Sequence, residues 1–128
     1  MIYNLTMHVA TKEQMQAGVV EPSEQDKKTI IGLLTFDSIP THKEINYRAD
    51  RLVNIVANQC DDEGDYVHFG SAMIGGAPYL MSLLEYALDE VGVNALYAFS
   101  VRESVETVEL DGSVVKKNVF RHLGFVEA

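Results

Sequence analysis

A chain of 128 residues is normally one domain with room for a real core. Hydrophobic residues make up 47% and charged residues 23%, ordinary values for a globular protein, and no apolar run approaches the roughly 18 residues of a membrane span. The net charge of −9 argues against wrapping long nucleic acid, which needs a basic surface, but leaves room for a small anionic ligand.

The elements follow in order. Ile2 to Met7 reads as a strand, with Asn4, Thr6 and His8 at alternate places and so on one face. Thr11-Lys-Glu-Gln14 is a capping box that opens a short helix ending at Gly18. Val19-Val20 is a brief second strand. Ser23 opens another helix, with Ile30, Ile31, Leu33 and Leu34 apolar and Lys27 on its polar face, away from the strand ends. Thr41-His-Lys-Glu44 is a second capping box. Behind it Ile45, Ala49, Leu52, Val53, Val56 and Cys60 recur at helical spacing, which puts the single cysteine in the core. Asp61 to Asp65 is an acidic, solvated turn without the ligand alternation of a calcium loop.

Tyr66 to Phe69 is expected to extend the strand Ser71–Ile74. Gly75-Gly76 then permits a tight turn, and Pro78 suits the first turn of a helix. Leu80, Leu83, Leu84, Ala87, Leu88 and Val91 mark its buried face, and Gly92 its stop. Ala95 to Val101 reads as a buried parallel strand. Ser104–Leu110 and Ser113–Phe120 alternate around the turn signal Asp111-Gly112, a hairpin, and Phe125-Val126 is a last short strand. The expectation is an α/β fold: one domain over residues 1–128, a mainly parallel sheet flanked by helices, with a C-terminal β-hairpin. With no basic n-region at the start, a cytoplasmic location is expected.

Parallel strands with right-handed crossovers would bring Asn4, Thr6 and His8, then Gly75 and Gly76, then Ser100 and Arg102 to one sheet edge. The free N–H groups and dipole of a helix after Gly75-Gly76 would receive an anion. The competing reading is a turn that only packs helix on sheet. Basic residues favour the C-terminal third: Arg102, Lys116, Lys117 and Arg121 stand against five acidic residues there, whereas six stand against fourteen up to Asn94. Arginine donates to phosphate in pairs. His8 and His122 are candidate proton carriers, since imidazole titrates near neutrality. His42 and His68 have no assigned role. No histidine pair or cysteine cluster proposes a metal, and no cofactor is expected.

The stretch Gly64 to Phe125 resembles the small CRISPR-associated proteins of type III systems that have a compact CARF-like Rossmann fold. The features are Gly64-Asp-Tyr-Val67, the turn Gly75-Gly76-Ala77-Pro78-Tyr79-Leu80-Met81, Leu96-Tyr-Ala-Phe-Ser-Val-Arg-Glu103 and Val119-Phe-Arg-His-Leu-Gly-Phe125. His8, Thr11 and Gln14 resemble that group's opening strand and helix, and related proteins occur in phages and prophages. The resemblance implies a ring nuclease that binds a cyclic oligoadenylate, commonly the four-adenylate ring, and linearises it to end signalling. It implies metal-independent attack by a ribose 2′-hydroxyl on phosphate and a homodimer with the ring across the two-fold axis. On that reading His8, Arg102 and His122 are catalytic, and Asn4, Thr6, Gly75, Gly76, Ser100 and Arg121 bind the ligand. The alternatives are a non-catalytic nucleotide sensor or sponge and an interaction protein with no ligand.

Overall fold

The structure, a computed structural model, describes Met1–Ala128. Strand β1 (Ile2–Leu5) leads to helix α1 (Lys12–Gln16) and strand β2 (Val19–Val20). Helices α2 (Glu24–Leu34) and α3 (His42–Ala57) follow, then β3 (Ser71–Ile74), α4 (Pro78–Glu90), β4 (Asn94–Val108) and β5 (Val114–Glu127). Local chemistry sets the helix starts. Thr11 and Gln14 form the reciprocal capping box, and Ser23 and Thr41 each accept from the N–H three residues on. The second box is only half made, because the Glu44 carboxylate turns to Arg48 at 2.8 Å instead of back to the cap.

The five strands lie in the order β2-β1-β3-β4-β5. β1 pairs in parallel with β2 and β3, and β3 with β4. β4 and β5 are antiparallel over the longest ladder in the molecule. The sheet is therefore mixed, and the expectation of a mainly parallel sheet holds only for its first four strands.

Alternation along the short strands separates two cores. Tyr3, Leu5, Ala72, Ile74 and Ala95 face α2, α3 and α4 in one large cluster. Met73 faces the other way, onto Ala10 and Val19 with Ile2 and Phe125 alongside. One sheet face thus carries three helices, and the other carries only the short α1 and its loops.

Several sequence expectations need correction. Ala95–Val101 is not a buried parallel strand: parallel pairing stops at Leu96, and Phe99 and Ser100 are exposed. The segments expected as strand, hairpin and last strand are two continuous strands, and Phe125 and Val126 lie inside β5. Tyr66 to Phe69 adds no strand beyond one bridge from Tyr66 to Cys60. Cys60 lies beyond the end of α3 and is exposed. The helical spacing ran three residues past the point where the backbone leaves the helix. Val91 is likewise an exposed C-cap residue rather than part of the buried stripe of α4.

Leu84 is fully buried in the α4 interface, while Leu110 at the hairpin tip is fully exposed. Leu84→Ala should lower unfolding free energy by about 2–5 kcal/mol, and Leu110→Ala by no more than about 0.5 kcal/mol. Urea denaturation of the two variants checks this directly.

Candidate functional site

Strand order places the site. The chain leaves β1 for β2 on one side, then crosses back to β3 on the other, so a crevice opens beyond the carboxyl ends of β1 and β3. A cavity of about 380 Å3 occupies it. Its walls are the loop after β1 (Thr6, Met7, His8), the Gly75-Gly76 turn after β3, Tyr97 of β4 and Gln14 of α1.

The β1 loop is held from beneath by a buried polar network. Asn4 is fully buried in the central strand. Its Nδ2 donates to the His8 carbonyl at 2.9 Å and to Glu21 Oε1 at 2.5 Å. Its Oδ1 accepts from the Thr6 N–H at 2.9 Å and the Thr6 hydroxyl at 2.7 Å. Lys27 Nζ donates to the carbonyls of Thr6 at 2.9 Å and His8 at 2.7 Å and lies 3.7 Å from Glu21. Glu21 also accepts from the Ala10 N–H at 2.6 Å.

Every hydrogen-bonding position of Asn4 is thereby used inside the protein. Asn4 positions the loop and does not reach a ligand, which corrects its expected binding role. Lys27, expected to lie away from the strand ends, instead reaches the loop that lines the cavity. Sequence periodicity put it on a polar helix face, and that face turns out to pack under the loop. Lys27 and Glu21 were missed because no local motif links positions so far apart from Asn4.

The Gly75-Gly76 turn is required by space and backbone. Gly76 has φ of 153°, and a Cβ there would sit 3.3 Å from Met81 Cε. Helix α4 begins at once, with Pro78 in its first turn and Ala77 as an N-cap that offers no side-chain acceptor. No protein group accepts from the N–H of Gly76, Ala77 or Tyr79. Of these donors Gly76 lines the cavity, and free N–H groups at the positive end of a helix dipole suit an anion. His8 is exposed on the rim, and no hydrogen bond ties its ring down.

The structure thus brings together Thr6, His8, Gly75 and Gly76. Four other expected residues lie outside the cavity. Ser100 follows the point where β4 leaves its parallel partner and lies opposite His122 in the hairpin. Arg102 stacks over Phe120, 5.5 Å from the ring centre. Arg121 pairs with Glu103 at 3.2 Å. The His122 ring packs edge-on against Phe125 at 4.8 Å, with both ring nitrogens buried and unpartnered. Ser100 and Arg102 were expected at the end of a short strand and Arg121 and His122 after a hairpin, whereas β4 and β5 run on as long paired strands that carry all four outside the cavity. The acidic turn is exposed, as expected: its Asp61, Glu63 and Asp65 oxygens lie within 4.8 Å of one another. The turn precedes β3, whereas the cavity follows it.

Two tyrosines are shifted by their surroundings. Burial pushes the Tyr3 phenol well above its ordinary value, with the Asp26 and Glu21 charges adding to the effect. Burial, then the hydrogen bond to Glu85 at 3.1 Å, pushes Tyr97 up to about 12.

Fold and site together describe an α/β protein with a small cavity at its strand switch point, beside the start of α4. The model for the Uncharacterized protein MJ1673 family matches residues 1–126, and the chain belongs to that family. The match takes in cavity and hairpin alike. No curated protein and no solved structure matches the chain.

Lys27→Met should destabilise the fold by about 1.5–3 kcal/mol, as expected for lost charged hydrogen bonds, and speed hydrogen exchange at Ala10. Urea denaturation and exchange mass spectrometry read the two effects. Tyr97 ionises near 10 when unfolded and near 12 when folded. The stability this contributes is complete below pH 10 and lost as pH rises to 12. Tyr97→Phe should therefore flatten the fall of the urea midpoint across that window.

Proposed function

We propose that the chain binds a cyclic oligoadenylate at this cavity and linearises it, as a metal-independent ring nuclease that ends type III CRISPR signalling. The observation that carries this reading is the pairing of an uncapped helix start at Gly75-Gly76 with the untethered His8 ring across one cavity. The parallel β2-β1-β3-β4 order supports a Rossmann-like, CARF-like reading of the fold. On this reading the protein works in the cytoplasm as a homodimer.

The chemistry follows from the residues present. The N–H groups of Gly76, Ala77 and Tyr79 hold a phosphate oxygen, and Thr6 orients the ribose. His8 takes the proton of the 2′-hydroxyl as that oxygen attacks phosphorus. The bond to the 5′-oxygen breaks, and the oxygen takes a proton from water. The products are a 2′,3′-cyclic phosphate and a free 5′-hydroxyl. Negative charge on the phosphate is met by the helix start rather than by Arg102, which lies on the hairpin. A cavity of about 380 Å3 holds about one nucleotide, so the rest of a ring must lie across its mouth. A two-fold assembly would offer it a second such cavity.

One observation favours a second reading, a sensor or sponge that binds without cleaving. Neither Arg102 nor Arg121 reaches the cavity, so the transition state receives little more charge stabilisation than the bound ring.

Incubation with cyclic tetra-adenylate in excess EDTA, followed by chromatography, separates the readings. Linear products ending in 2′,3′-cyclic phosphate are expected. His8→Ala should slow their release by about 10²–10⁴-fold with binding nearly intact, and His122→Ala should not. A raised melting temperature without products supports the sensor. No thermal shift and no products would end the nucleotide reading.

A further inference from the structure

Hydrogen bonds inside the chain leave few of the cavity's polar groups free. The Thr6 hydroxyl hydrogen is committed to Asn4 Oδ1 at 2.7 Å, so Thr6 can only accept from a ligand. The Tyr97 hydroxyl donates to Glu85 at 3.1 Å, and the Met7 sulfur accepts from the Thr35 hydroxyl. None of the chain's 19 acidic residues lines the cavity, and no lysine or arginine does. An anion there meets no repelling carboxylate and no fixed cation, so neutral donors must hold it.

Gln14 supplies such a donor. It is the one residue of α1 that is not exposed, and it lines the cavity. The capping box decides which way round its amide lies. The Thr11 N–H can bond only to the amide oxygen, and Gln14 Oε1 accepts from it at 3.0 Å. The Nε2 group has no partner in the chain, so both of its hydrogens are free. The amide cannot turn over to offer an acceptor without giving up the cap. A donor fixed in this way is preorganised, and a ligand need not order it.

We propose that Gln14 Nε2 donates to a phosphate oxygen of the ligand, so that the phosphate lies against the α1 wall of the cavity. This rests on the nucleotide reading of the cavity and supplies a part which that reading lacks. Arg102 and Arg121 lie on the hairpin, so no arginine meets the phosphate. A glutamine amide and backbone N–H groups are donors that can stabilise an oxyanion in place of a cation. The helix start after Gly75-Gly76 and the Gln14 amide then act on the same phosphate.

Three variants test this with cyclic tetra-adenylate as the probe, in excess EDTA. Binding is read from the ligand-induced rise in melting temperature over a concentration series. Gln14→Glu keeps the capping box, which glutamate makes as well as glutamine, but replaces the free amide donor by a carboxylate oxygen. Gln14→Met is neutral and of similar length and donates nothing. Gln16→Glu adds the same charge to the same helix at an exposed position outside the cavity. Ligand-free Gln14→Glu and Gln16→Glu should melt within about 3 °C of the wild type. Gln14→Met should weaken binding by about 10-fold or more, as for a lost hydrogen bond to a charged group. Gln14→Glu should weaken it by about 100-fold or more, because like charges then face each other, and Gln16→Glu by no more than about 3-fold. If Gln14 only caps α1, Gln14→Glu binds like the wild type, which overturns the proposal. Wild-type binding by Gln14→Met, or equal losses in Gln14→Glu and Gln16→Glu, overturns it too. In each of these cases the wild type still binds, and the nucleotide reading stands. A wild type that shows no shift ends that reading and this inference together.

Discussion

The hydrogen bonds of the Asn4 side chain are the interaction on which the site depends. A buried amide in the central strand must be satisfied or it costs free energy. Asn4 is satisfied only if the chain after β1 curls back, so that Thr6 donates to it and His8 accepts from it. The same amide reaches Glu21, which draws in Lys27, and Lys27 closes on the same two loop carbonyls. The loop that carries His8 to the cavity rim is thus held by a closed polar circuit. The circuit draws on β1, the segment before α2, and α2 itself.

The Gly75-Gly76 turn forms the opposite wall under a different constraint. There the backbone comes close to Leu34 and Met81, and glycine is needed so that α4 can start directly at the strand end. One wall is held by hydrogen bonds and the other by close packing. Both are preorganised in the free chain, as a binding site requires if ordering is not to consume affinity. Tyr97 completes the cavity while packing on the helix-side core, which couples the site to the layer that stabilises the sheet.

The molecule is unevenly covered. Three helices cover one face of the sheet, whereas the far half of the long hairpin is covered by nothing in its own chain. Apart from half-buried Val101, its apolar residues are exposed, from Phe99 through Val119. The body thus encloses a small cavity, and the hairpin ribbon faces outward.

Much of the fold was legible because its signals are local. The capping residues Thr11, Ser23 and Thr41, the 3.6-residue stripes of α3 and α4, the Gly75-Gly76 break and the Asp111-Gly112 turn act within a few residues, and each marks an element that the structure contains. Thr6, His8, Gly75 and Gly76 could be placed at one edge because parallel strands with helical crossovers leave little other choice. Tertiary structure alone decided the rest. An alternating segment does not say which strand it pairs with, so the passage of β4 from a parallel to an antiparallel partner at Leu96 could not be read, and Ser100, Arg102, Arg121 and His122 were carried off with it. The roles of Asn4, Glu21 and Lys27 were equally hidden. A hydrogen bond between residues 17 or 21 positions apart leaves no periodic trace in a sequence, and only the packing of α2 beneath the β1 loop brings those groups within reach.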